Sequence, residues 1–94
     1  MIGIDRAKIA AIVCDVLSTE VHDLRGREDI EIKSSSVLDD IGIDEVGVTH
    51  IVAELEDTFL VAIPDEAIDL MTTKVSDIVE LIVSLLRGKA EAAE

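Results

Sequence analysis

Apolar residues recur at helical spacing in three long stretches of the chain. Ile9, Ile12, Val13, Val16 and Leu17 stand at i, i+3, i+4, i+7 and i+8, which places them on one face of an α-helix. Asp5 precedes that face, and its carboxylate suits the free N–H groups of a first helical turn. The pattern leaves open whether Ser18 to Val21 prolong this helix or fray from it. Gly26, among Arg25, Arg27, Glu28 and Asp29, marks the loop that follows. Residues 30–43 read mostly as connection. Ile30 and Ile32 alternate with charges, as in an extended stretch pinned to a core. Ser34-Ser35-Ser36 before Val37-Leu38-Asp39-Asp40-Ile41-Gly42 suggests one capped helical turn ended by glycine.

A second helix follows Asp44, a further N-cap candidate. Val46, Thr49, Val52, Leu55 and Phe59, with Ile51 beside them, make its apolar stripe. Gly47 costs this helix up to about 1 kcal/mol relative to alanine. Pro64 suits the first position of a short third helix, where its missing N–H is harmless, with Ile68 and Leu70 or Met71 as anchors. Thr72 and Thr73 lead into a last helix whose face is Val75, Ile78, Val79, Ile82, Val83 and Leu86. Gly88 is placed to end it. The expectation is an all-α, four-helix domain over residues 1–88, with a long first loop and a short third helix. Residues 89–94 are expected to form a flexible tail.

Composition narrows the function more than the fold. Hydrophobic residues make up 49% of the chain, almost all of them aliphatic, and Phe59 is the lone aromatic. A bundle this small is expected to hold only roughly 3–5 kcal/mol of stability. Twenty-one Asp and Glu face eight Lys and Arg, a formal charge of −13. That surface repels nucleic acid and anionic lipid, attracts basic protein surfaces, and disfavours tight self-association, so a monomer is expected. Between Lys33 and Lys74 there is no Lys or Arg, while ten Asp and Glu fall there, so the second helix carries the strongest negative potential. No apolar run approaches the ~20 residues of a membrane span. The start lacks the basic and apolar regions of a secretory leader, which leads to the expectation of a cytoplasmic protein.

Candidate chemistry is sparse. Cys14 lies between core positions of the first helix and reads as a buried thiol rather than a reactive one. His22 beside Asp23 is too isolated for a metal site. Asp39, Asp40 and Asp44 lack the spacing and closing glutamate of a calcium loop, and read as a solvated acidic face. His50 is a solvated helix residue or, less simply, a pH-sensitive group. There is no glycine-rich phosphate loop, no HExxH and no Ser-His-Asp set, so no enzyme activity is expected.

The order of elements resembles the acyl carrier proteins. Ser36-Val37-Leu38-Asp39-Asp40-Ile41-Gly42-Ile43-Asp44 is similar to that family's approach to its second helix. Leu55-Glu56-Asp57-Thr58-Phe59 resembles its "LEEEF" helix ending, and Ile63-Pro64-Asp65-Glu66 its "IPDE" segment. Val75-Ser76-Asp77-Ile78-Val79-Glu80-Leu81-Ile82 resembles its final "TVxDLVxxI" segment. The likeness covers about the last two thirds of the chain, and the spacing of the motifs together is what makes it specific.

The resemblance implies a site at the head of the second helix, where the family has Asp-Ser-Leu and esterifies the serine with 4′-phosphopantetheine. The corresponding residues here are Asp44-Glu45-Val46, and no serine lies between Ser36 and Ser76. Thr49, the nearest hydroxyl, falls on the expected core face. A carboxylate is a poor substitute nucleophile, since an acyl phosphate formed from it would be labile. Glu45 can instead place a negative charge near where the family's phosphodiester sits, at a helix N-terminus. No cofactor is therefore expected on Glu45. The resemblance also implies docking of basic surfaces of acyl-chain-processing enzymes through Asp44, Glu45, Val46, His50, Glu56 and Asp57. Gly47 and His50 replace acids common at those positions, which weakens shared partners. The expectation is a non-catalytic docking or regulatory protein of fatty acid, lipid or polyketide assembly. A carrier with unusual attachment chemistry and an unrelated acidic helical protein stay open at this point.

Overall fold

Helix caps and apolar stripes set out three α-helices among the described residues. The computed structural model describes residues 5–24, 26 and 31–92. Asp5 is extended and its carboxylate accepts from Lys8 N at 3.1 Å, which starts α1, Arg6–Ser18. Ile9, Val13 and Leu17 are buried along one face, while Ile12 and Val16 are only half-buried. Cys14 is also half-buried and packs against the core, rather than inside it as expected.

The open question at Ser18 to Val21 has a definite outcome. The chain continues into a wide π-helical turn, Thr19–Leu24. There the apolar Val21 and the charged Glu20 are both buried. Ile32 packs against the core, whereas Ile30 lies outside the described residues. The expected single turn is present as a 3-10 turn, Asp39–Ile41, closed by Gly42 at φ 84°. That left-handed conformation is one glycine adopts without steric cost. Leu38, Ile41 and Ile43 are buried on either side of it.

α2 spans Glu45–Phe59. Its buried line is Gly47, Ile51 and Leu55, with Val48, Val52 and Phe59 packed alongside. The expected stripe is thus displaced by about one position: Val46 is 58% exposed and Thr49 is exposed. The cause is Gly47, which occupies the first inward position yet contributes no hydropathy signal. Without it, an i, i+3 pattern starting at Val46 mimics the true i, i+4 pattern. The helix ends with Leu60 in the left-handed region, φ 56°. Its carbonyl accepts from Lys89 Nζ at 2.9 Å, tying the two helix ends together.

The expected short third helix at Pro64 is reduced to a single 3-10 turn, Asp65–Ala67. Ile68 is already extended, and Asp69 N donates to Thr73 Oγ1 at 2.7 Å while Thr73 N donates back to Asp69 O at 2.8 Å. Side-chain bonds of this kind compete with helix propagation and turn the chain instead. Ile68 is buried, Leu70 packs on the core, and Met71 is exposed. Among the described residues the fold is therefore all-α with three α-helices, rather than four.

α3 spans Val75–Ala92 and buries Val75, Ile78, Val79, Ile82 and Val83. It runs through Gly88 instead of ending there, so residues 89–92 of the expected tail are helical, and 93–94 lie outside the described residues. α1 packs against both α2 and α3. The long loop joins α3 at its start: Leu38 N bonds Thr73 O, Val75 N bonds Ser36 O and Ser76 N bonds Ser34 O, with a bridge pairing Val37 and Lys74.

Candidate functional site

The head of α2 is built by the loop that enters it. Gly42 reverses the chain, Ile43 is buried as an anchor, and Asp44 emerges extended. The Asp44 carboxylate accepts from Gly47 N at 2.9 Å and its carbonyl from Val48 N at 2.9 Å. The first bond uses one of the otherwise free N–H groups of the first turn, and the second is the first regular bond of the helix. Glu45 follows as the first helical residue, with its side chain in solvent. A carboxylate there is favoured by the positive end of the helix dipole, by about 0.3–1 kcal/mol at an exposed position.

Glu45 shares a shallow depression with Val48 of α2 and with Ile68, Asp69, Leu70 and Met71 of the opposing turn. That turn is held by Met71 N bonding Asp69 Oδ1 at 2.8 Å and by the Asp69–Thr73 pair. Val46 and the 67% exposed Met71 give the surroundings an apolar edge. The nearest hydroxyl on α2 is that of Thr49, which faces solvent and not the core. It donates to the Glu45 carbonyl at 3.1 Å.

The other residues singled out from the sequence do not gather at this point. Glu56 and Asp57 lie eleven and twelve residues further along α2, roughly 16–18 Å away at helical rise. Glu56 is committed locally: its Oε2 accepts from Ile63 N at 2.8 Å and fastens the loop after the helix. Asp57 is exposed. His50 is not simply solvated, because its Nδ1 lies 3.2 Å from Oε1 of the buried Glu20. Hydropathy gave no sign of that contact, since the π-helical turn carries Glu20 inward. Among the described residues, no three His, Cys, Asp or Glu are grouped to hold a metal ion, and no helix is long and apolar enough to cross a membrane.

Comparison with known proteins decides what scaffold this is. The profile of the family "Phosphopantetheine attachment site" matches residues 7–82, from the first turn of α1 into the middle of α3. The chain belongs to the phosphopantetheine attachment-site family. Within it, the chain is 35% identical over 75 residues to an acyl carrier protein of Campylobacter lari, a match covering 80% of this chain and 96% of that relative. No solved structure matches. Family membership removes the reading as an unrelated acidic helical protein, and the matched span includes all of α2. The last turns of α3, with Lys89 and its bond to Leu60, lie beyond it.

Proposed function

We propose that this protein is an acyl-carrier-like docking or regulatory partner that lacks the 4′-phosphopantetheine arm. It is not a catalyst, and its setting is fatty acid, lipid or polyketide assembly in the cytoplasm. The supporting observation is Glu45. It is the residue directly after the Asp44 cap, exposed on the first turn of α2, and no serine occurs anywhere from position 37 to 75. The residues present do not fit the arm, because its attachment needs an alcohol that can form a stable phosphodiester. A carboxylate in its place supplies permanent negative charge at the helix mouth without a tether. Basic surfaces of acyl-chain-processing enzymes are the matching partners, and the strong negative charge favours a monomer. The exposed Asp44, Glu45, Val46, His50 and Asp57 are the contact residues in this reading, while Glu56 acts chiefly within the fold.

A second reading, a carrier with unusual attachment, gains from the exposure of the Thr49 hydroxyl on the same helix. Intact mass after incubation with coenzyme A and a phosphopantetheinyl transferase separates the two. The native chain is expected to keep its mass, and Glu45→Ser to gain one arm. An added arm on the native chain overturns the proposal, and its absence in Thr49→Val would then assign the attachment to that hydroxyl. If Glu45→Ser also stays unmodified, the proposal loses its carrier scaffold at the level the transferase reads, for which Gly47 and His50 are the first suspects. Glu45→Gln tests the charge itself: unchanged affinity for a binding enzyme would remove Glu45 from recognition.

A further inference from the structure

The chain leaves α2 under the hold of side chains from two different helices. Leu60, at φ 56°, is the one non-glycine residue with positive φ among the described residues. That conformation is unfavourable for any residue with a Cβ, and the leucine side chain is 69% exposed, so its burial does not offset the cost. Neighbouring groups hold the exit instead. The Glu56 carbonyl accepts from Leu60 N and, at 3.3 Å, from Val61 N. The Glu56 carboxylate takes the donor further on, Ile63 N, at 2.8 Å. The carbonyl of Leu60 itself is met by Lys89 Nζ at 2.9 Å.

Lys89 reaches this point because α3 runs on through Gly88, and it lies outside the span 7–82 shared with the family. Its chemistry suits the place. Carbonyls at the C-terminal end of a helix carry partial negative charge, and a lysine can bond them and complement the helix dipole. The donor is charged, which strengthens the bond. Lys89 is also exposed, so solvent screening keeps the effect at the level of local opening rather than of folding. The loop that starts at Leu60 is closed at its far end by a separate device, the mutual bonds of Asp69 and Thr73. Between the two ends, Ile68, Asp69, Leu70 and Met71 form the wall opposite Glu45.

We infer that Lys89 and the Leu60 carbonyl form a clasp, through which the last turn of α3 fixes the exit from α2 and the near end of the loop that walls the Glu45 depression. With the clasp closed, Leu60 is held in its unfavourable conformation and the amides of Val61 and Ile63 stay on Glu56. Uncoiling the last turn of α3, or neutralising Lys89, frees the near end of the loop while the Asp69–Thr73 end stays shut. The clasp is independent of whether an arm is carried on α2.

Amide hydrogen exchange by NMR on the full chain tests it, at a single pH so that intrinsic rates cancel between variants. Lys89→Met keeps the aliphatic stem and removes the charged donor. In it, the amides of Val61 and Ile63 should exchange roughly two- to fivefold faster than in the native protein, while those of Thr73 and α1 keep their native rates. Arg87→Met makes the same change of charge two residues earlier, roughly 200° around the helix, and should leave Val61 and Ile63 as they are. The clasp is overturned if Val61 and Ile63 keep their native rates in Lys89→Met. It is equally overturned if Arg87→Met speeds them as much, since general repulsion in a chain of charge −13 would then be the cause. Faster exchange of Thr73 and α1 to the same extent in Lys89→Met overturns it too, because the whole domain would have loosened. Lys89 and Arg87 are both exposed, so folding is retained, and the α1 amides report it within the same spectra.

Discussion

At the scale of single residues, polar side chains decide where each helix begins and how the loops close. Asp44 is the clearest case: it caps α2, and that cap sets where Glu45 faces solvent. Asp44→Ala is expected to cost about 1 kcal/mol, within the roughly 0.5–2 kcal/mol range of lost N-caps. For a domain of this size that lowers Tm by about 4–8 °C, measured by thermal denaturation followed by circular dichroism. Asp44→Asn, which can still accept the Gly47 N–H, should lose much less, and an equal loss would mean charge matters more than the cap. The caps at Asp5 and Asp44 were legible from the sequence because capping is a local rule. Glu56 and His50 were not, because each acts on something remote in sequence. Ile63 N lies seven residues beyond Glu56, and Glu20 thirty before His50. A periodicity argument treats both as solvated acids and bases on a helix surface.

At the scale of elements, the two longest apolar faces were readable and the short segments less so. Ile9, Val13 and Leu17, and Val75, Ile78, Val79, Ile82 and Val83, combine strong periodicity with burial. α2 was misphased because a glycine took an inward place. The turn after Pro64 fell short of a helix because Asp69 and Thr73 bond one another. The run of α3 past Gly88 was missed for a related reason: a stop signal at glycine requires the left-handed conformation, and Gly88 remains helical with open space where a Cβ would stand. Gly88→Ala should therefore stabilise the protein by up to about 1 kcal/mol, since alanine loses less backbone freedom on forming the helix. Chemical denaturation is the check: the midpoint should rise with an unchanged slope. A fall in midpoint would show that the helix beyond Gly88 adds nothing to stability.

At the scale of the whole molecule, charge is the dominant fact. A net charge of −13 on 94 residues makes the native state repel itself. Raising NaCl from about 0.01 to 0.15 M shortens the screening length from about 30 to 8 Å. We expect a higher Tm, by several degrees, as the salt is raised over that range. A flat response would mean the carboxylates are already balanced in the fold. The same charge was legible in full from composition, whereas the partners it selects were not, since attraction to a basic surface does not name one.

The way α3 begins carries a consequence at this scale. Asp77 serves the N–H of Lys74, but the N–H groups of Val75 and Ser76 end on carbonyls of Ser36 and Ser34, far back along the chain. The opening turn of the last helix is thus completed by borrowed acceptors. Whatever grips or lifts the serine stretch will tighten or unravel that turn as well, without ever touching α3.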